Sequence, residues 1–279
     1  MPYKSLMTVL TDVEQARPVL DQLIALAEAQ DAHADALCLG VDRTQTGYYY
    51  AGANAMILQE TLTRATAEAA DTLAFARDYL GKSGIRWSAE DGVAQIADLG
   101  RHVAHRARFS DLVVLPKPYG EDRGAEAEPI VEAALFEGHA PVLVVPDAAK
   151  PMGKPGTVNI GWNESVEAMR SIRLAMPFLR EADVVRIVVI DPPKHGPDRS
   201  DPGGLLSQML SRHGVKCEID VLSKTMTRVS DILNRHATDT AADLLVMGAY
   251  GHSRFREAIL GGATRNMLEQ AAIPVFMAH

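Results

Sequence analysis

The strongest constraint on the fold is that the chain repeats itself. An apolar run at 6–11 leads to Asp12, and a second leads to Asp42, 30 residues later. The same pattern restarts at 158–162, leading to Asn163, with the next run leading to Asp191, 28 residues on. Later in each half an acid opens an apolar run, Asp111 before Leu-Val-Val-Leu and Asp243 before Leu-Leu-Val-Met. Pro141 and Pro274 follow those acids by 30 and 31 residues. The middle of each half breaks the match: Asp42 to Asp111 is 69 residues and Asp191 to Asp243 is 52. The surplus of 17 falls on a tyrosine-rich loop, Tyr48 to Tyr50, and a long helix expected over 55–80. Apolar runs without polar alternation read as strands covered on both faces. The intervening segments carry apolar residues at helical spacing, such as Val19, Leu20, Leu23, Ile24 and Leu26. Strands alternating with helices predict an α/β fold of two tandem units, each a doubly wound, mostly parallel sheet of about five strands.

The spacing predicts a domain over 1–147, a linker at 148–156 rich in Pro, Gly and Lys, and a second domain over 157–279. In the first domain strands are expected at 6–11, 36–41, 85–89, 111–115 and 142–145. Helices are expected at 13–29, 55–80, 93–108 and 130–137. In the second, strands are expected at 158–162, 184–190, 216–222, 243–247 and 273–277, with helices at 165–179, 205–213, 229–237 and 263–270. A net charge of −8 excludes a general nucleic-acid binder, which needs an excess of cations. No apolar run approaches the length that spans a bilayer and no leader-like segment opens the chain, so the expectation is a soluble, cytoplasmic protein. Cys38 and Cys217, each in a strand-like run, read as two buried free thiols.

The most informative stretch for function is 243–277. A buried strand gives way at Gly248 to a loop bounded by Gly251 and Gly261, and Gly262 and Thr264 open the next helix. Glycines there let backbone N–H groups approach a ligand, and a helix N-terminus favours an anion. On the residues alone, a tight loop that merely joins strand to helix fits equally well.

The spacing Gly, two residues, Gly, nine residues, Gly resembles the nucleotide loop of the universal stress protein family, matched by Gly248, Gly251 and Gly261. Gly262 stands where the family's nucleotide binders place a hydroxyl, and Thr264 matches a second hydroxyl position. The resemblance extends over the chain as a tandem universal stress protein and implies flavodoxin-like strand order 3-2-1-4-5 in each domain. It further implies that the second domain binds ATP or another adenine nucleotide, with or without Mg. Asn163 would stand at the adenosine-holding acidic position, Ile190 would contribute backbone to adenine, and the loop with Thr264 would hold phosphates. In the first domain Asp12 keeps the acid, but Pro116, Lys117 and Pro118 replace the phosphate loop, and Gly120 and Gly124 do not restore its spacing. That domain reads as a degenerate nucleotide site. The resemblance also implies contact between the strands near residues 141–145 and 274–277, and pairing of copies into a homodimer. The implied role is regulatory, a nucleotide-binding protein of the stress response. The alternative is an interaction or small-ligand protein on the same scaffold.

Other motifs carry less. His102 and His105 are spaced to share a metal from one helix, but no third ligand stands at a suitable distance. His252, Arg254 and Arg256 lie in the glycine-bounded loop and would face either phosphate or solvent. Trp162 reads as core. A P-loop, a dinucleotide fingerprint and a Gly-x-Ser-x-Gly elbow are all absent. No nucleophile and base are placed together, so no catalytic residue is assigned and an enzyme is not expected.

Overall fold

A computed structural model describes residues 2–43, 53–120, 123–192, 201–249 and 262–279. The chain divides into two compact units, Tyr3–Ala140 and Pro141–His279. The first contains β1 (Ser5–Leu10), α1 (Ala16–Gln30), β2 (His33–Asp42), α2 (Ala53–Gly81), β3 (Arg86–Gln95), α3 (Ile96–Ala107), β4 (Leu112–Pro116) and α4 (Ala127–Glu132). A π-helical turn, Ala133–Glu137, extends α4. The strands run in the order β3-β2-β1-β4, all parallel. Burial on both faces explains the unbroken apolar runs: Leu112, Val113, Val114 and Leu115 of β4 are wholly buried.

The second unit contains β5 (Val142–Val145), β6 (Thr157–Trp162), α5 (Val166–Leu174), α6 (Met176–Glu181), β7 (Val184–Ile190), α7 (Gly204–Arg212), β8 (Cys217–Leu222), α8 (Val229–Asp239), β9 (Leu244–Gly248), α9 (Ala263–Gln270) and β10 (Val275–Ala278). Its order is β5-β10-β9-β6-β7-β8. Counted from β6, this is the expected 3-2-1-4-5, with a sixth strand added at the β10 edge. That strand, β5, is the only antiparallel one among the described residues of the unit, pairing Val144, Leu143 and Val142 with Val275, Phe276 and Met277. These are the two stretches that the resemblance brings together. An apolar strand covers an edge that β10 would otherwise expose. The first unit therefore holds four of its five expected strands, and β5 groups with the second.

The structure corrects several sequence expectations. β3 runs through Val93, Ala94 and Gln95, which were assigned to a helix. It is a sheet edge with mostly half-exposed residues, so it lacks the apolar run that marks the central strands. The helix expected over 165–179 is broken at Ala175, and α6 restarts with Pro177 in its first turn, where a missing N–H is harmless. Cys38 is buried, and burial pushes its thiol up to about 12, with Asp91 adding to the effect. Cys217 is only half-buried, with Sγ 3.3 Å from Ser207 Oγ. Trp162 is half-buried rather than core. Among the described residues, no helix is long and apolar enough to cross a membrane.

Candidate functional site

In parallel α/β sheets, ligands sit beyond the strand carboxyl ends where the strand order reverses. In the second unit that point lies at β6, flanked by β7 on one side and β9 on the other. Trp162 is level with Val189, so Asn163 stands level with Ile190. Gly161 is level with Met247, so Gly248 stands level with Trp162. β9 and β10 are parallel, so the connection between them, which includes α9, starts at the carboxyl end of the sheet. Asn163, Ile190 and Gly248 thus stand at one end of one sheet, and Gly262 and Thr264 open the next described helix. Gly251, Gly261, His252, Arg254, Arg256 and Tyr48 to Tyr50 lie outside the described residues.

Each of these residues has a local physical reason. A Cβ on Gly248 would lie 2.6 Å from Ala168 N and 2.9 Å from Glu167 C, so only glycine lets β9 leave the sheet against the first turn of α5. Asn163 is exposed, and its Oδ1 accepts the Ser165 N–H at 3.2 Å, closing the turn that leads into α5. Ser165 caps α5 by accepting from Ala168 N at 3.1 Å. Glu164 and Asp191, one residue beyond Asn163 and Ile190, have left-handed φ of 61° and 49°. Non-glycine residues in that region carry strain that the surrounding structure must hold. At Asp191 the hold is its N–H on Leu222 O at 2.8 Å. Gly262 caps α9 without a side chain, so the first-turn N–H groups receive no side-chain acceptor from it. Thr264, in that first turn, is buried.

Ser165 and Glu164 were not singled out from the sequence, and Asp191 was read only as a strand-end residue. The helix-capping preference of serine was the available signal for Ser165. Nothing in the sequence marks the two left-handed residues.

The corresponding end of the first unit is built differently. Asp12 Oδ1 accepts from Glu14 N at 2.8 Å, the same turn that Asn163 makes. Beyond it, Arg43 Nε lies 3.3 Å from Glu126 Oε2, and Nη2 bonds Oε1 of the same carboxylate. Arg43 also reaches Glu68 at 3.2 Å. Glu126 raises the Arg43 pKa above its ordinary value, outweighing burial. Glu126 is buried, and a Cβ on Gly124 would collide with its carboxylate. The cavity left among Leu10, Asp12, Gln15, Arg43, Leu115 and Glu126 is ≈ 90 Å³. Ligand pockets for small organic molecules are usually about 300 Å³ or larger.

His102 and His105 lie on α3, with the His105 ring edge-on to Phe109. Among the described residues, no three His, Cys, Asp or Glu groups gather to hold a metal.

Residues 205–279 match the model of the universal stress protein family. A universal stress protein of Synechocystis is 28% identical over 136 residues, 48% of this chain and 45% of the relative, so the match spans about half the length of that protein. In fold, the chain is similar to a universal stress protein from Archaeoglobus fulgidus, with TM-score 0.74 at 12% identity over 98% of this chain and 96% of that one. It is also similar to the cytoplasmic domain of a prokaryotic cation chloride cotransporter, with TM-score 0.52 at 13% identity over 99% and 95% of the two chains. The family model thus matches the stretch from α7 to β10, about a quarter of the chain, and over its whole length the chain shares the fold of the Archaeoglobus fulgidus protein.

Proposed function

We propose that the second unit binds ATP or another adenine nucleotide and that occupancy, rather than chemistry, is its output. The observation behind this reading is that Asn163, Ile190 and Gly248 stand at one sheet end, where the strand order reverses, with Gly262 and Thr264 opening the next helix. In this reading Asn163 offers its Nδ2 amide to adenosine, and Ile190 offers backbone to adenine. Gly248, Gly251, Gly261 and Gly262 bring backbone N–H groups to the phosphates, and Thr264 adds a hydroxyl. The positive end of α9 complements their charge. No protein ligand for Mg is proposed. The first unit, where Arg43 and Glu126 occupy the equivalent place, is proposed to take no nucleotide. Copies are proposed to pair as a homodimer in a cytoplasmic, stress-responsive role. Light scattering that shows only monomer at micromolar concentration removes the pairing.

A second reading rests on Asn163 and Gly262. One supplies no charge and the other no hydroxyl, which suits a small-ligand or interaction protein on the same scaffold.

The test is ATP affinity of the parent and three variants, each checked for fold by circular dichroism. Gly261→Val places a branched side chain where phosphate approaches, and binding is lost. Thr264→Ala removes one bond to a charged group, worth about 1.5–3 kcal/mol, and weakens binding roughly ten- to hundredfold. Gly262→Ser restores the hydroxyl and tightens binding. A folded Gly261→Val that binds like the parent transfers the lead to the second reading.

A further inference from the structure

The face of the first unit's sheet beside α3 holds a cavity of ≈ 480 Å³, within the range of sites for small organic ligands. It lies away from the carboxyl-end region of that unit and is lined by Met7, Asp35, Leu37, Ser88, Glu90 and Phe109, among others. Asp35 is half-exposed; its Oδ1 receives the Ser88 hydroxyl and lies 3.4 Å from His33 Nε2. Glu90 is bonded from one side by Arg106 of α3, at 2.8 Å. Phe109 stands at the rim, 75% exposed.

The second unit shows what this geometry accommodates. Met7 pairs with Asp35, Asp35 with Ser88, and Leu37 with Glu90. In the same register Asn159 pairs with Arg186, Arg186 with Glu218, and Val188 with Asp220. Both alignments are fixed by the same bond at the strand start, Asp111 N to Ser5 O and Asp243 N to Thr157 O. Asp35 therefore corresponds to Arg186, and Glu90 to Asp220. Arg106, reaching Glu90 from α3, corresponds to His236, reaching Asp220 from α8 at 2.9 Å. In the second unit the place facing the strand-3 carboxylates is taken by the chain's own guanidinium: Arg186 Nη1 lies 2.9 Å from Glu218 and 3.3 Å from Asp220. In the first unit the residue at that position is itself an acid. The guanidinium is missing, the carboxylates of Asp35 and Glu90 remain, and open volume stands in front of them.

We propose that this cavity is a second ligand site, for a small molecule with a guanidinium or amine head and a short apolar stem. The head bonds Asp35 and approaches Glu90 from the side opposite Arg106, as Arg186 does within the second unit. A planar guanidinium suits two carboxylates better than a point-like ammonium. The stem lies along Met7 and Leu37, and Phe109 closes over it. A cation near an aromatic face gains further attraction. This site is independent of the nucleotide reading, because no residue is shared.

The test uses the full chain with n-butylguanidinium, n-butylammonium and pentanoate as probes, followed by calorimetry and ligand-observed NMR. Butylguanidinium binds best, butylammonium more weakly, and pentanoate not at all. Asp35→Asn keeps the shape and the Ser88 contact but removes the charge, and weakens butylguanidinium about tenfold. Phe109→Ala, at an exposed position that contributes nothing to the core, weakens it less and serves as the variant certain to fold. The proposal is overturned if no probe binds at millimolar concentration, if pentanoate binds as well as butylguanidinium, or if folded Asp35→Asn keeps the parent affinity. Saturating ATP leaves the butylguanidinium affinity unchanged, whether or not ATP itself binds.

Discussion

Asp111 and Asp243 do the same work in the two units. In the first, Asp111 Oδ2 accepts the N–H groups of Lys4 and Ser5 at 2.7 and 3.0 Å. In the second, Asp243 Oδ2 accepts those of Gly156 and Thr157 at 2.8 and 3.0 Å. Each carboxylate ties the start of the fourth strand to the start of the first. Lys4 and Asp31, 3.2 Å apart, likewise have a looser counterpart in Lys154 and Asp183, at 4.0 Å. At the amino ends of the strands the two units are near copies. At the carboxyl ends they part: an ion pair from exposed Arg43 to buried Glu126 in one, an exposed turn at Asn163 beside Gly248 in the other. The backbone clamps are duplicated at the amino ends, while side chains on the sheet face and at the carboxyl ends differ between the units.

The crossover between the second and third strands sharpens this comparison. The first unit uses α2, of 29 residues, and the second uses α7, of 9. Both need a glycine to bring helix and sheet together, but at different places. A Cβ on Gly40 of β2 would lie 1.8 Å from the carbonyl oxygen of Ala65 in α2. Gly203, capping α7, has φ of 87° and would place a Cβ 3.2 Å from Ile187 Cγ2. Gly40→Val is the largest expected effect, about 3 kcal/mol, because backbone must move to admit it. Gly203→Ala costs about 1–2 kcal/mol, through left-handed strain and a contact that a side chain can relieve. Urea unfolding of both variants checks the order; equal losses would break the distinction between backbone and side-chain crowding.

The two acid clamps provide a matched pair. Asp111→Ala and Asp243→Ala each remove one charged acceptor from two backbone donors, and each costs about 2 kcal/mol. Losses differing by more than about 1 kcal/mol would show that the resemblance of the amino ends is geometric only.

The smallest effect is the acid limb of stability. Arg86 first, then Lys4, hold the Asp31 carboxyl below its ordinary range. A carboxylate whose folded pKa is depressed contributes fully above its unfolded pKa, near pH 4, and loses that contribution as pH falls through the folded value. Asp31 is fully exposed, so the effect is slight and screened by salt. NMR titration should place the Asp31 midpoint below that of an unpaired aspartate, and Arg86→Gln should raise it. An unchanged midpoint in that variant would contradict the assigned cause.

Central strands were legible because burial on both faces leaves an unmistakable mark, as in the runs before Asp12 and Asn163. Edge strand β3 was read too short, since nearly all its residues are exposed or half-exposed and its last three look helical. The break at Ala175 was written in Pro177, but a proline in a first turn is easily read as tolerated within one helix. At the site, Asn163 and Gly248 were visible as strand-end residues. The Arg43–Glu126 pair was not, because its members are 83 residues apart and nothing local joins them. The contrast of Asp35 with Arg186 emerges only when the strand registers are laid side by side.

The account's central claim is that one unit takes nucleotide and the other does not. Native mass spectrometry of the full chain titrated with ATP, with calorimetric stoichiometry alongside, tests it most directly. One ATP per chain, abolished by Gly261→Val and unaffected by Glu126→Gln, is the predicted result. Two equivalent sites per chain, or a single site lost in Glu126→Gln and retained in Gly261→Val, would contradict it.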